Sequence, residues 1–93
     1  MTIDQIETFL AVVRHNGFRH ASRALFLTQP SVSTRIHNLE KELNVPLFIR
    51  TGRTIRLSES GKLLLPYAEG IVRLCCEARA ELAKMRTVHH IIK

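Results

Sequence analysis

Thr28-Gln29-Pro30-Ser31-Val32-Ser33-Thr34-Arg35-Ile36-His37-Asn38-Leu39 is the stretch on which the fold turns. Thr28 fits a helix N-cap, and Pro30 falls in the first turn, where a missing N–H is no loss. Val32, Ile36, Leu39 and Leu43 recur at spacings of four, three and four, one apolar stripe on a helix of about residues 29–43. Asn44 suits a left-handed cap, and Pro46 blocks continuation. Just upstream, Arg19 to Phe26 reads as a short helix with Ala21, Ala24 and Leu25 on one side. Two helices joined by so tight a turn form a helix-turn-helix.

Outward from this unit, Thr2 and Gln5 fit a capping box. Ile3, Ile6, Phe9, Leu10 and Val13 follow at helical spacing, and Asn16-Gly17 stops that first helix near residue 15. Downstream the period changes. Leu47-Phe48-Ile49, the turn Thr51-Gly52-Arg53 and the alternation Thr54-Ile55-Arg56-Leu57 predict a hairpin with strands near 48–50 and 55–57. Ser58 caps a last helix of about 59–86, in which Gly61 is weak and Pro66 should kink the first turns. Leu64, Ala68, Ile71, Cys75, Ala78, Leu82 and Met85 then form an a/d seam. A helix of that length spans roughly 42 Å, more than a small head can cover, so the seam is expected to join two chains. The fold class expected is mainly α: a winged helix-turn-helix of three helices plus a two-stranded wing, followed by a long linker helix. Its divisions are a head at 1–58, a linker and dimerisation helix at 59–87, and a tail at 88–93 without recognisable structure.

The 93 residues leave no room for a two-domain enzyme with a cofactor cleft. An apolar share of 45 % argues against disorder. No apolar run approaches a membrane span, and the acidic N-terminus is no signal peptide, so the expected compartment is the cytoplasm. The net charge of +6 is uneven. Residues 19–62 hold eight bases against three acids, which points to a polyanionic partner.

DNA gives this order a physical logic. The major groove admits a helix, and the N-terminal residues of the second helix of such a pair reach the base edges. Here these are Gln29, Pro30, Ser33, Thr34 and Arg35, expected as base contacts. Gln bonds adenine bidentately, and Pro or a Thr methyl touches the thymine methyl. Thr28, Ser31 and Arg50 suit phosphate oxygens, and His37 and Asn38 reach phosphate at most. Arg53, at the hairpin tip, suits a narrow minor groove. Two other readings stand beside this one: a protein-interaction module built on the seam, and a thiol switch at Cys75-Cys76. No Ser-His-Asp order, phosphate-binding glycine loop or carboxylate pair is present, so no enzyme activity and no cofactor are expected. His89-His90 suit a stray metal at most, and His15, His20 and His37 have no Cys or carboxylate partner at metal-ligand spacing, so no metal site is expected.

Residues 1–66 resemble the N-terminal domain of LysR-type transcriptional regulators. The likeness is carried by Ile6-Glu7-Thr8-Phe9, Ala21-Ser22-Arg23-Ala24-Leu25, Thr28-Gln29-Pro30-Ser31-Val32-Ser33, Leu39-Glu40, Glu42-Leu43, Leu47-Phe48, Arg50, Arg53 and Leu57-Ser58-Glu59-Ser60-Gly61. The last helix is similar to that family's linker helix. The resemblance implies a bacterial regulator that binds double-stranded DNA with a dyad-related operator. It implies a homodimer through antiparallel linker helices, and a tetramer in the full-length protein. It also implies a C-terminal effector domain for a small molecule, absent from this chain. Gln29 and Pro30 carry over as base contacts, Ser31 and Ser33 as phosphate or base-edge contacts, and Arg53 as the wing contact. Two positions depart from the pattern: Ser22 replaces the second of two alanines, and the base comes at Arg35 rather than Thr34. That shift turns the charge by about 100° around the helix.

Overall fold

The computed structural model describes the backbone of residues 1–92 and the side chains of residues 1–86. Four helices and one hairpin follow in the order α1 (Ile3–His15), α2 (Phe18–Leu25), α3 (Gln29–Leu43), β1 (Phe48–Thr51), β2 (Thr54–Leu57) and α4 (Glu59–Ile92). The Thr2–Gln5 capping box opens α1, and Asn16 closes it at φ 54°. Thr28 caps α3 and Asn44 ends it at φ 58°. At α2 the sequence reading shifts by one residue: the helix begins at Phe18 and ends at Leu25. Phe26 itself is left-handed at φ 56° and 96 % exposed, a conformation that crowds any side chain with a Cβ.

The core is built by the apolar stripes of α1, α2 and α3. Ile6, Phe9, Leu10 and Val12 meet Ala21, Val32, Ile36 and Leu39, with Leu47, Phe48 and Ala68 closing the edge. Ser22, in place of an alanine, is buried but donates its hydroxyl proton to the Arg19 carbonyl, so it leaves no orphan polar atom.

The strands pair antiparallel with Phe48 opposite Leu57 and Thr51 opposite Thr54. The connecting turn is therefore Gly52-Arg53, with Gly52 at φ 60° in the first central position, as a type II′ hairpin turn requires. One residue more per strand is paired than the sequence reading expects.

Helix α4 corrects two expectations. It runs to Ile92, beyond an end near residue 86. No Gly or Pro interrupts 87–92, and β-branched residues lower helix propensity by less than about 1 kcal/mol each. Of the expected tail, Lys93 lies outside the described residues, as do the side chains of His89 and His90. The seam also divides. Leu64, Ala68 and Ile71 pack on the head's own core, Ala68 being fully buried. Ala78, Leu82 and Met85 are exposed, and Cys75 lies at the border. A radius of gyration of 16.2 Å and extents of 59 × 25 × 20 Å, against about 12 Å for a compact chain of this size, record how far the helix projects.

Gly61 has a steric reason. A Cβ there would collide with the Leu47 carbonyl oxygen and lie 2.7 Å from Leu57 Cδ2. The start of α4 thus rests directly on the backbone that leads into the hairpin. Pro66 sits inside α4, and the helix continues through it.

Candidate nucleic-acid interface

Burying Val32, Ile36 and Leu39 fixes which way α3 turns its other residues. Pro30, Thr34, His37, Asn38 and Lys41 are all exposed, and by helical phase they lie opposite that buried stripe. Gln29 is exposed at the first position, and Ser33 is half-buried. Among the described residues the Gln29 side-chain amide has no hydrogen-bond partner, so it is available to a ligand. Lys41 was missed in the sequence reading. Its signal is the spacing of Pro30, Thr34, His37 and Lys41, out of phase with the apolar stripe.

Three of the expected contacts, Thr28, Ser31 and Arg35, have employment inside the chain. Thr28 Oγ1 accepts from the Ser31 backbone N–H at 3.2 Å and donates to Ser31 Oγ at 2.8 Å. Both hydroxyls are held at the cap, and of the two protons only that on Ser31 Oγ remains to be donated outward. Arg35 is half-buried and turned toward α1, where its Nη1 donates to Thr8 Oγ1 at 3.4 Å. Thr8 in turn donates to the Asp4 carbonyl at 2.7 Å. Arg35 therefore flanks α3 on the α1 side, apart from the outward set that the sequence reading placed it in. The cause is its phase, closer to the buried stripe than that of Thr34.

The hairpin is tied to α3 by one carboxylate. Glu40 Oε2 accepts from the backbone N–H of Leu47 at 2.7 Å and of Phe48 at 3.4 Å. Ser58 N donates to the Leu47 carbonyl at 3.0 Å. The Ser58 hydroxyl accepts from Gly61 N and donates to the Pro46 carbonyl. α3, the hairpin and α4 meet at this knot, so the hairpin stands at a set angle to α3.

Arg50, Arg53 and Arg56 are all exposed. Arg50 lies opposite Ile55, and Arg56 opposite Ile49, so these two arginines project from opposite faces of the hairpin. Arg50 is seated over the Phe18 ring, 4.3 Å from its centroid. Arg53 follows Gly52 at the tip. Among the described residues neither the Arg53 nor the Arg56 guanidinium has a carboxylate, ring or hydrogen-bond partner. No group of three or more metal-ligating side chains converges among the described residues. None of the described helices is long and apolar enough to cross a membrane.

The sequence-reading seam also missed part of the exposed face of α4. Leu63, Tyr67, Leu74, Leu82 and Met85 are each between 61 and 70 % exposed. Leu63, Tyr67 and Leu74 lie about 60–100° around the helix from Leu64, Ala68 and Ile71. Their spacing is heptad-like too, and the two registers overlap in the sequence.

Residues 3–62 match the family model described as the bacterial regulatory helix-turn-helix protein of the lysR family. The chain belongs to that family. It is 42 % identical over 88 residues to a probable RuBisCO transcriptional regulator of Synechocystis, covering 91 % of this chain and 26 % of that protein. A probable RuBisCO transcriptional regulator of Emiliania huxleyi is 38 % identical, covering 95 % of this chain and 28 % of that one. The chain thus spans under a third of the length of these regulators. Among solved structures, the DNA-binding domain of BenM in complex with catB site 1 DNA superposes with a TM-score of 0.87 at 27 % identity, covering 91 % of this chain and 96 % of that one. The DNA complex of the CbnR DNA-binding domain gives a TM-score of 0.82 at 29 % identity, covering 89 % and 98 %.

Proposed function

We propose that this chain is the sequence-specific, double-stranded DNA-reading part of a bacterial transcription regulator, paired with a second copy through α4. The observation that carries the reading is the outward face of α3. Gln29, Pro30 and Thr34 are exposed at the start of a helix whose other face is locked into the core, with a basic hairpin fixed beside it. In this reading α3 enters the major groove, Gln29, Pro30, Ser33 and Thr34 meet base edges, and Lys41 adds a phosphate contact near the far end. Arg53 enters the adjacent minor groove, where narrow A·T-rich stretches have the deepest negative potential. Arg50 and the Ser31 hydroxyl serve phosphates. Arg35 keeps a supporting place against α1.

The exposed apolar residues of α4 support pairing, since a monomer gains nothing from leaving them in water. Two heads on one dimer call for two half-sites related by a dyad. The LysR-type relatives are several times longer, which supports a regulator whose small-molecule effector is sensed by a C-terminal domain beyond this chain. Tetramers of the whole protein and action at the bacterial nucleoid belong to the same reading.

Selection of binding sites from random duplexes tests it directly. An enriched dyad of two half-sites is expected. No enrichment with a folded chain would sink the DNA reading and favour a protein-interaction module. On the selected site, Gln29→Ala should weaken binding by about 1–3 kcal/mol and relax one position. Equal losses on all sequences would remove Gln29 from the base contacts.

A further inference from the structure

Arg50 is exposed, yet it does not hang free. Its guanidinium carbon lies 4.3 Å over the centre of the Phe18 ring. The Phe18 ring meets Phe48 edge-on at 6.0 Å, and Phe48 meets the fully buried Phe9 at 5.4 Å. Three rings thus run from the middle of the core to the surface, and a cation stands on the last. Among the described residues no carboxylate pairs with Arg50, and none of its guanidinium N–H groups has a hydrogen-bond partner. A guanidinium held over a ring uses its face for that contact and keeps its in-plane N–H donors for oxygens. The two other hairpin arginines have no such support. Arg50 alone among them has its conformation narrowed before any partner arrives, and narrowing a long side chain beforehand removes an ordering penalty from binding.

We infer that Phe18 is a positioning residue for DNA binding: it holds Arg50 over its ring so that the guanidinium edge presents a ready-made phosphate clamp between the start of α2 and the hairpin. This inference rests on the DNA reading above and adds to it a residue that need not touch DNA. Leu at position 18 keeps an apolar side chain but removes the ring. Tyr or Trp keeps the ring. Arg50→Lys keeps the charge but loses the planar fork.

The test is binding to a 30-base-pair duplex of random sequence, measured across a salt series, with urea unfolding of each variant as the control. Phe18→Leu is expected to weaken binding about five-fold and to flatten the slope of log affinity against log salt toward that of Arg50→Ala, by up to about one. Phe18→Trp should restore both. In an Arg50→Ala background Phe18→Leu should change little further. Arg50→Lys alters only the exposed partner, so it holds the test open even where Phe18→Leu unfolds the head; a loss of about three-fold or more is expected. Binding by the parent and by Phe18→Leu or Arg50→Lys alike overturns the inference alone. An equal loss from Phe18→Leu with and without Arg50 reduces Phe18 to core packing and overturns it too. No binding by the parent chain overturns the DNA reading, and this inference with it.

Discussion

The two halves of α4 carry similar apolar spacing and meet different fates. In the first half Leu64, Ala68 and Ile71 are absorbed by the head, beside Ile6, Phe9 and Leu10 of α1. Past Val72, Leu74, Leu82 and Met85 stand in solvent, as Leu63 and Tyr67 do on the flank of the covered part. Spacing declares that a stripe exists, but what covers it depends on how far the head reaches along the helix. The head reaches to about Val72 and Cys75. Beyond that point Leu82 and Met85 have no cover among the described residues, and a second chain becomes the physical reason for keeping them.

The largest expected effect attacks the covered half. Ala68→Asp places a carboxylate at a fully buried position and is expected to lower stability by more than about 4 kcal/mol. Far-UV circular dichroism through a urea series reads it. A cooperative transition at the parent midpoint would show that α4 does not close the core. Next in size is Gly61→Ala, which drives a methyl into the Leu47 carbonyl. A loss of about 1–3 kcal/mol is expected, seen as a lower urea midpoint at unchanged slope. No shift would mean the contact relaxes freely. The smallest effect on the head belongs to the bare half. Leu74→Asp combined with Met85→Asp should change unfolding by less than about 0.5 kcal/mol at concentrations where the parent is monomeric. The same pair should abolish self-association in sedimentation. Monomers that lose stability, or dimers that survive, would erase the distinction between the halves.

How much of this was readable beforehand differs by element. The bounds of α3 come directly from Thr28, Pro30 and Asn44, because each residue acts on its own backbone. The hairpin tip follows equally well from Gly52. The end of α2 did not, because Phe26 is a poor choice for a left-handed position, a strain of about 1–2 kcal/mol. A local reading therefore carries the helix one residue too far. Within the site, Gln29, Pro30 and Thr34 fall where α3 was expected to show them. Arg35 does not: its phase beside the stripe of Val32 and Ile36 already turned it to the flank of α3, and only the packed α1 shows that Thr8 receives it there. The Phe18–Arg50 stack left no trace in any window, as it joins two elements distant in sequence. The choice between two overlapping heptad registers in α4 was likewise settled by the head's shape rather than by any residue of the helix.

Gly61 also gives the molecule leverage. The start of α4 is seated on the Leu47 backbone with no side chain between them, and Ser58 pins the same point. A rod of 34 residues, seated there and held by the head as far as about Val72, spans about 51 Å. Swinging it by about 5° displaces its far end by about 4 Å, close to the rise of one base pair, about 3.4 Å. In the two-headed assembly proposed above, one serine and one missing methyl therefore act as a gauge. They set the distance between half-sites that the pair of heads can straddle without bending either the rod or the DNA.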